Sequence, residues 1–251
     1  MKNKLFAAMA ASCLFAASAS ADETIMLKLG YSNLKPTGTV GAALAGTPQK
    51  IDLGKDLGLK SSKEITGEVA LQFGDSRLSL GYLPINTSGT STLTQNVNFN
   101  GTTYTAGTTV TTNMKLTIYD LAYTYYLINM DDLPSRAQLG LDISLKGTKV
   151  ATDISSAALG KKSSSANAPI PTIGLRGRVA LADFIGVAAR VGYLGIKKNR
   201  FLDTDAQVEF SPLPMVGVYA GYRKLSIKVD TNNAFLDASF AGPYAGVLAR
   251  F

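Results

Sequence analysis

From Arg136 to Thr148 the chain alternates without interruption, with Arg136, Gln138, Gly140, Asp142, Ser144, Lys146 and Thr148 on one face. Ala137, Leu139, Leu141, Ile143, Leu145 and Gly147 occupy the other. Only a side-chain period of two produces this, so the segment is a strand with one apolar and one polar face. The design recurs. Thr172, Gly174, Arg176 and Arg178 alternate with Ile173, Leu175, Gly177 and Val179, and Glu64, Thr66, Glu68 and Gln72 with Ile65, Val69, Leu71 and Phe73. Arg190 shares its segment with Ile185, Val187, Ala189, Val191 and Tyr193.

Extending the pattern predicts ten strands: Thr24–Asn33, Glu64–Phe73, Arg77–Asn86, Met114–Leu127, Arg136–Thr148, Ile170–Leu181, Ile185–Leu194, Thr204–Phe210, Met215–Lys228 and Phe240–Phe251. Eight strands is the alternative. The connections alternate in length. Gly74-Asp75-Ser76, Ile128–Ser135, Ala182-Asp183-Phe184 and Ser211–Pro214 are short, whereas Leu34–Lys63, Thr87–Asn113, Lys149–Pro169, Gly195–Asp203 and Val229–Ser239 are long. Within the second long connection, Asn100-Gly101 is a hairpin signal, since both positions tolerate positive φ. A hairpin projecting beyond the membrane is expected there.

At the N-terminus, Lys2 and Lys4 precede an apolar run from Leu5 to Ala17, and Ala19-Ser20-Ala21 supplies small residues before Asp22. This is the pattern of a secretory signal peptide, expected over residues 1–21 with cleavage after Ala21. The run is too short for a spanning helix. Cys13 lies inside the signal without the Leu of a lipoprotein box, so no lipid anchor is expected, and the mature chain then has no cysteine. Removing two lysines from 25 basic residues leaves 23 against 18 acidic ones. That mild basic excess, without a basic run, offers nothing to nucleic acid. One domain over 22–251 is expected.

A soluble sandwich would alternate in the same way, with its apolar face inward. Two features favour a membrane barrel. Gly140, Gly174, Gly186, Gly192 and Gly246 all fall on the polar face; inside a narrow barrel they would leave room for long Arg and Glu side chains. Phe73, Tyr125, Phe184, Phe210 and Phe251 all fall at one set of strand ends, as a periplasmic aromatic girdle would. A final strand ending in Phe251, with Gly242-Pro243-Tyr244, Gly221-Tyr222-Arg223 and Leu57-Gly58-Leu59 elsewhere, resembles the small outer-membrane β-barrel proteins. The resemblance covers nearly all of residues 22–251. It implies an all-β transmembrane antiparallel up-and-down barrel in the bacterial outer membrane, with short periplasmic turns and long extracellular loops, inserted by the barrel-assembly machinery. One strand breaks phase: Val216, Val218, Ala220 and Tyr222 suggest one outward face, whereas Leu225, Ile227 and Val229 suggest the other. A bulge near Arg223-Lys224 would reconcile them.

The chain contains no histidine. The barrel enzymes that the resemblance brings to mind use a histidine base or proton shuttle, so no enzymatic activity is expected. No phosphate loop or calcium repeat is present, and neither cofactor nor metal is expected; Asp52 and Asp56 have the chemistry to share a divalent ion but read better as a solvated loop face. The phases place Glu64, Glu68, Asp120, Asp142 and Glu209 inside with Arg77, Arg136, Lys146, Arg176, Arg178, Arg190 and Arg250. Such a lumen should be filled by ion pairs, since ten strands lie close to the size that side chains fill. A structural or surface-interaction role follows, with a narrow passive channel for small anionic or apolar solutes as the alternative. Lys161, Lys162, Lys197, Lys198 and Arg200 in the loops are candidate contacts for lipopolysaccharide phosphates. A monomer surrounded by outer-membrane lipid is expected.

Overall fold

The computed structural model describes residues 23–44, 47–48, 50–130, 136–213, 215–230 and 234–251. Ten long strands form the wall: β1 (Glu23–Leu44), β2 (Ser62–Phe73), β3 (Ser76–Thr92), β4 (Thr109–Asn129), β5 (Ala137–Ser156), β6 (Gly160–Ala182), β7 (Ile185–Ile196), β8 (Asn199–Phe210), β9 (Val216–Asp230) and β10 (Ala234–Arg250). Each pairs antiparallel with its chain neighbours, and β1 also pairs with β10, from Met26↔Arg250 to Ala42↔Ala234. The sheet therefore closes on itself at the level of the short turns and the apolar wall; above it, β6 from Gly160 to Thr172 is paired on its β5 side alone. The signal segment, the Asp131-Asp132 pair and Pro214 lie outside the described residues.

All ten predicted strands are present, but most run further upward, away from the short turns, than expected. β5 and β6 continue to Ser156 and Gly160, so the expected long loop from Lys149 to Pro169 is almost wholly strand. β3 and β4 likewise stay paired to Thr92↔Thr109. These extensions are rich in Ser, Thr and Asn and do not alternate in hydrophobicity. Their strand character was invisible to a test that relies on one apolar face.

The outer wall is apolar. Leu29, Ile65, Leu80, Leu121, Ile143, Leu145, Ile173, Val208, Val218 and Val247 are all exposed, alternating with inward side chains. Tyr31, Tyr82, Tyr119, Tyr193 and Tyr222 point outward higher on the wall. Phe73, Tyr125, Phe184 and Phe210 are exposed at the short-turn end, where Phe184 and Phe210 meet edge to face at 5.8 Å. Phe251 is half-buried there, its backbone bonded in both directions to Ile25. From Phe184 to Tyr193 is nine residues, roughly 23 Å of height for a strand tilted by about 40°. That is close to the hydrocarbon thickness of an outer-membrane barrel.

Three expectations need correction. No bulge occurs near Arg223-Lys224: β9 keeps one register with β8 and with β10 throughout. Tyr219, Arg223, Leu225 and Ile227 share the inward face, and what changes along the strand is the chemistry of the lumen, polar below and apolar above. The register shifts instead at Tyr126/Ile128 and Ala180/Ala182, near the short turns. Of the five polar-face glycines, only Gly186 faces an arginine, with Arg178 Nη2 3.4 Å from where a Cβ would sit. At Gly140, Gly174 and Gly246 the neighbour is the adjacent strand's backbone, and Tyr219 also lies across Gly246 and Gly30. Strand crowding and interior tyrosines, more than room for charge, require those glycines. Finally, the hairpin Val97–Phe99 and Thr102–Tyr104 exists, with Asn100 and Gly101 both at positive φ. It does not stand clear of the barrel but packs back onto its upper end.

Candidate functional site

The lumen has two storeys, and the sequence dictates where they meet. Along β4 the inward residues run Val110, Leu116 and Ile118 and then Asp120 and Thr124. Along β3 they run Ile85 and Leu83, then Ser79 and Arg77, and along β9 Leu225, then Arg223 and Tyr219. The upper storey is a hydrophobic core. Leu34, Leu83, Ile85, Leu116, Ile118, Ile154, Phe201, Leu225 and Phe240 line its wall, and Leu53, Leu57, Leu59, Leu93, Val97 and Tyr104 fill it from the first two connections. Tyr104 is fully buried, its hydroxyl donating to the Ile154 carbonyl at 3.2 Å.

Asp52 and Asp56 hold the first of these connections in place. Asp52 Oδ1 accepts the amides of Gly54 and Lys55 at 2.9 and 2.8 Å, and Asp56 Oδ2 accepts the amide of Asp52 at 2.8 Å. Both carboxylates are thus occupied as turn caps.

The lower storey is a connected ion-pair network. Arg190 on β7 donates from Nε to Asp142 Oδ1 at 2.8 Å and from Nη1 to Asp120 Oδ2 at 2.6 Å. Lys146 bridges Asp120 at 2.6 Å and Asp203 at 3.0 Å, and Arg223 forks onto both oxygens of Asp203 at 3.0 and 2.7 Å. Six charges on β4, β5, β7, β8 and β9 are tied in one chain across the lumen. Thr124 adds a hydroxyl bond to Asp142 at 2.7 Å. Nearer the short turns, Glu209 gathers Lys28 at 3.1 Å, Arg178 at 3.2 Å, Arg250, and the Gln207 amide at 2.6 Å. Arg77 pairs with Glu68 at 2.8 Å.

Asp120, Asp142, Lys146 and Arg190 are thus brought together, with Arg176 at the margin, 3.5 Å from Asp142. Arg178, Arg250 and Glu209 form a second group, and Glu68 and Arg77 a third pair. Glu64 stands apart, accepting from Asn86 Nδ2 at 2.7 Å, and Arg136 is exposed at the lower mouth with no salt bridge among the described residues. Sequence reasoning missed Lys28, Asp203 and Arg223. Lys28 alternates cleanly with Leu27 and Leu29 and was legible. Asp203 falls in the expected loop Gly195–Asp203, although it sits at even spacing from Asp205, Gln207 and Glu209. Arg223 was obscured by the apolar residues above it on the same face.

Space remains among these groups. One cavity of about 100 Å³ lies between Glu68, Asp205, Arg223 and Tyr244, and ends upward at Leu34, Leu83 and Ile118. A second, of about 210 Å³, opens at the short-turn end and is lined by Arg77, Arg136, Arg178, Glu209 and Arg250.

A closed, ten-stranded antiparallel barrel with an apolar outer wall and a charged interior has the fold of the outer-membrane β-barrel proteins. A solved structure shares it: the outer membrane protease OmpT from Escherichia coli superposes with a TM-score of 0.64 at 13% identity, covering 94% of this chain and 99% of that one. The translocator domain of the autotransporter NalP from Neisseria meningitidis gives 0.46 at 15% identity, covering 100% and 97%. At such identities the likeness is one of fold. No family model and no curated protein sequence matches the chain.

Proposed function

We propose that this chain is a sealed outer-membrane barrel that works through its extracellular surface, as a structural or interaction protein and not as a channel or an enzyme. The observation that carries this is the apolar upper storey: ions leaving the charged layer would meet Leu34, Leu83 and Ile118, backed by side chains from two connections. Crossing that layer means giving up hydration with no polar partner, which for a small ion costs far more than thermal energy. The absence of histidine from the sequence supports a non-enzymatic role. Export through cleavage after Ala21 and insertion by the barrel-assembly machinery belong to the same reading. Proteoliposomes holding a chloride-sensitive dye test it; dye quenching should be no faster than in protein-free liposomes, and protein-dependent chloride entry would instead favour the narrow-channel alternative.

Lipopolysaccharide is the proposed surface partner, and outer-wall cations beside the tyrosines join the loop cations as its candidate contacts. Lys161 and Lys162 sit near the tip of the β5–β6 hairpin, and Lys161 pairs with Asp153 at 3.0 Å. That tip is about eight residues, roughly 26 Å along the strand, above the level of Tyr119. Lys197 and Lys198 form the exposed β7–β8 turn, with Arg200 exposed on the outer wall beside it. Lys35 and Lys224 are exposed on the outer wall and face the same residue, Ala241, from either side, about 10 Å apart across β10. Lys149 is exposed two residues above Tyr119's partner on β5. These groups stand where headgroup phosphates meet an outward tyrosine belt. Lipopolysaccharide at low salt should raise the melting temperature, and a Lys35→Gln/Lys224→Gln variant should lose most of the rise. An unchanged rise in that variant would remove these lysines from the account.

A further inference from the structure

The lower storey does not share its charges evenly between its two levels. In the upper level Asp120, Asp142 and Asp203 pair with Lys146, Arg190 and Arg223, and Asp205 beside Arg223 adds a fourth carboxylate to the three cations. The vestibule of about 210 Å³ at the short-turn mouth is lined by six cationic side chains, Lys28, Arg77, Arg136, Arg176, Arg178 and Arg250, and by one carboxylate, Glu209. Glu68 reaches Arg77 from beside it, and Asp142 reaches Arg176, although Asp142 is already shared with Arg190. Crediting both in full leaves six cations against three carboxylates among the described residues.

Three guanidinium nitrogens of the lower storey lack a hydrogen-bond partner among the described residues, Arg190 Nη2 in the upper level and two in the vestibule wall. Arg77 Nε and Arg176 Nη2 are buried without any hydrogen-bond partner, and the Arg77 side chain is only 5% exposed. A buried group of cations that outnumbers its carboxylates is costly, and its usual remedy is a further counter-charge with acceptor oxygens. We infer that the vestibule is a binding site for a small phosphate-class oxyanion that enters from the periplasm. Guanidinium forks suit the paired oxygens of such an anion. The space suffices, since about 10–15 Å³ of cavity accommodates one water. The wall keeps lipid chains outside, so the anion comes free from solution and not on a lipid. The pocket is blind under the closed-barrel reading, yet binding does not depend on that reading: an open lumen would appear as ion flux, whereas the site is read from heat.

The test is calorimetric titration of the full barrel, in a phosphate-free maltoside detergent at fixed ionic strength, with inorganic phosphate. Saturable binding of one phosphate per barrel is expected, together with a melting temperature that rises with phosphate concentration. Arg136→Gln, at the mouth and without an ion pair among the described residues, should weaken binding about tenfold while leaving the phosphate-free melting temperature unchanged. If that variant does not insert, Arg176→Gln serves in its place. Lys162→Gln, far away on the outer hairpin, should bind as the unaltered protein does. Heats no larger than dilution, equal affinity in the mouth variant, or binding only to vesicles of an anionic phospholipid and not to free phosphate would each overturn the inference.

Discussion

Replacing Asp142 by alanine should destabilise the barrel by about 3–5 kcal/mol, the usual consequence of removing one partner from a buried ion pair. Asp142 is 1% exposed and is the acceptor for Arg190 at 2.8 Å, Arg176 at 3.5 Å and the Thr124 hydroxyl. Without it, Arg190 keeps only Asp120, which Lys146 also uses. Urea unfolding of the refolded protein in detergent micelles, followed by the loss of heat-modifiable mobility on gels, reads the change. Arg176→Ala should cost much less, because Arg176 makes a single long contact and already carries an unpartnered nitrogen. Equal losses in the two variants would show that the network does not have its hub at Asp142. Replacing the whole network by well-packed apolar residues is a different experiment, and need not destabilise at all.

The second large effect is expected at the cap. Tyr104→Ala removes a fully buried ring from the centre of the upper storey, and burial of this kind typically contributes about 3–5 kcal/mol. Tyr104→Phe keeps the ring and loses only the bond to Ile154, about 1 kcal/mol. The wall of ten paired strands does not depend on this residue, so the loss should be local: the hairpin undocks while the barrel stays folded. Limited proteolysis near Asn100-Gly101 should therefore accelerate strongly in Tyr104→Ala and slightly in Tyr104→Phe. Cleavage at the same rate in all three proteins would mean that the hairpin is not held by its ring.

The membrane-level part of this fold was legible because lipid outside and charge inside impose a strict alternation. Arg136–Thr148 reads as a strand for that reason alone, and the same rule located Asp120, Asp142, Lys146 and Arg190. It failed where both sides of the wall share one chemistry. Above the tyrosine belt, Ser163–Asn167 pairs along β5 yet shows no apolar phase, so it read as loop. In the upper storey, Leu225 and Ile227 are apolar and inward, which a reading of apolar as outward turned into a bulge that does not exist. Lys28 was missed without such an excuse. The cap was hardest to foresee, because the contacts of Leu53, Leu57 and Tyr104 are set by tertiary packing and not by any periodicity.

Planar-bilayer recording of the purified, unmodified protein tests the central claim most directly. A lumen closed by its apolar storey predicts a baseline without conductance steps at either polarity in concentrated chloride salt. Steady, anion-selective channels that scale with the amount of inserted protein would contradict it.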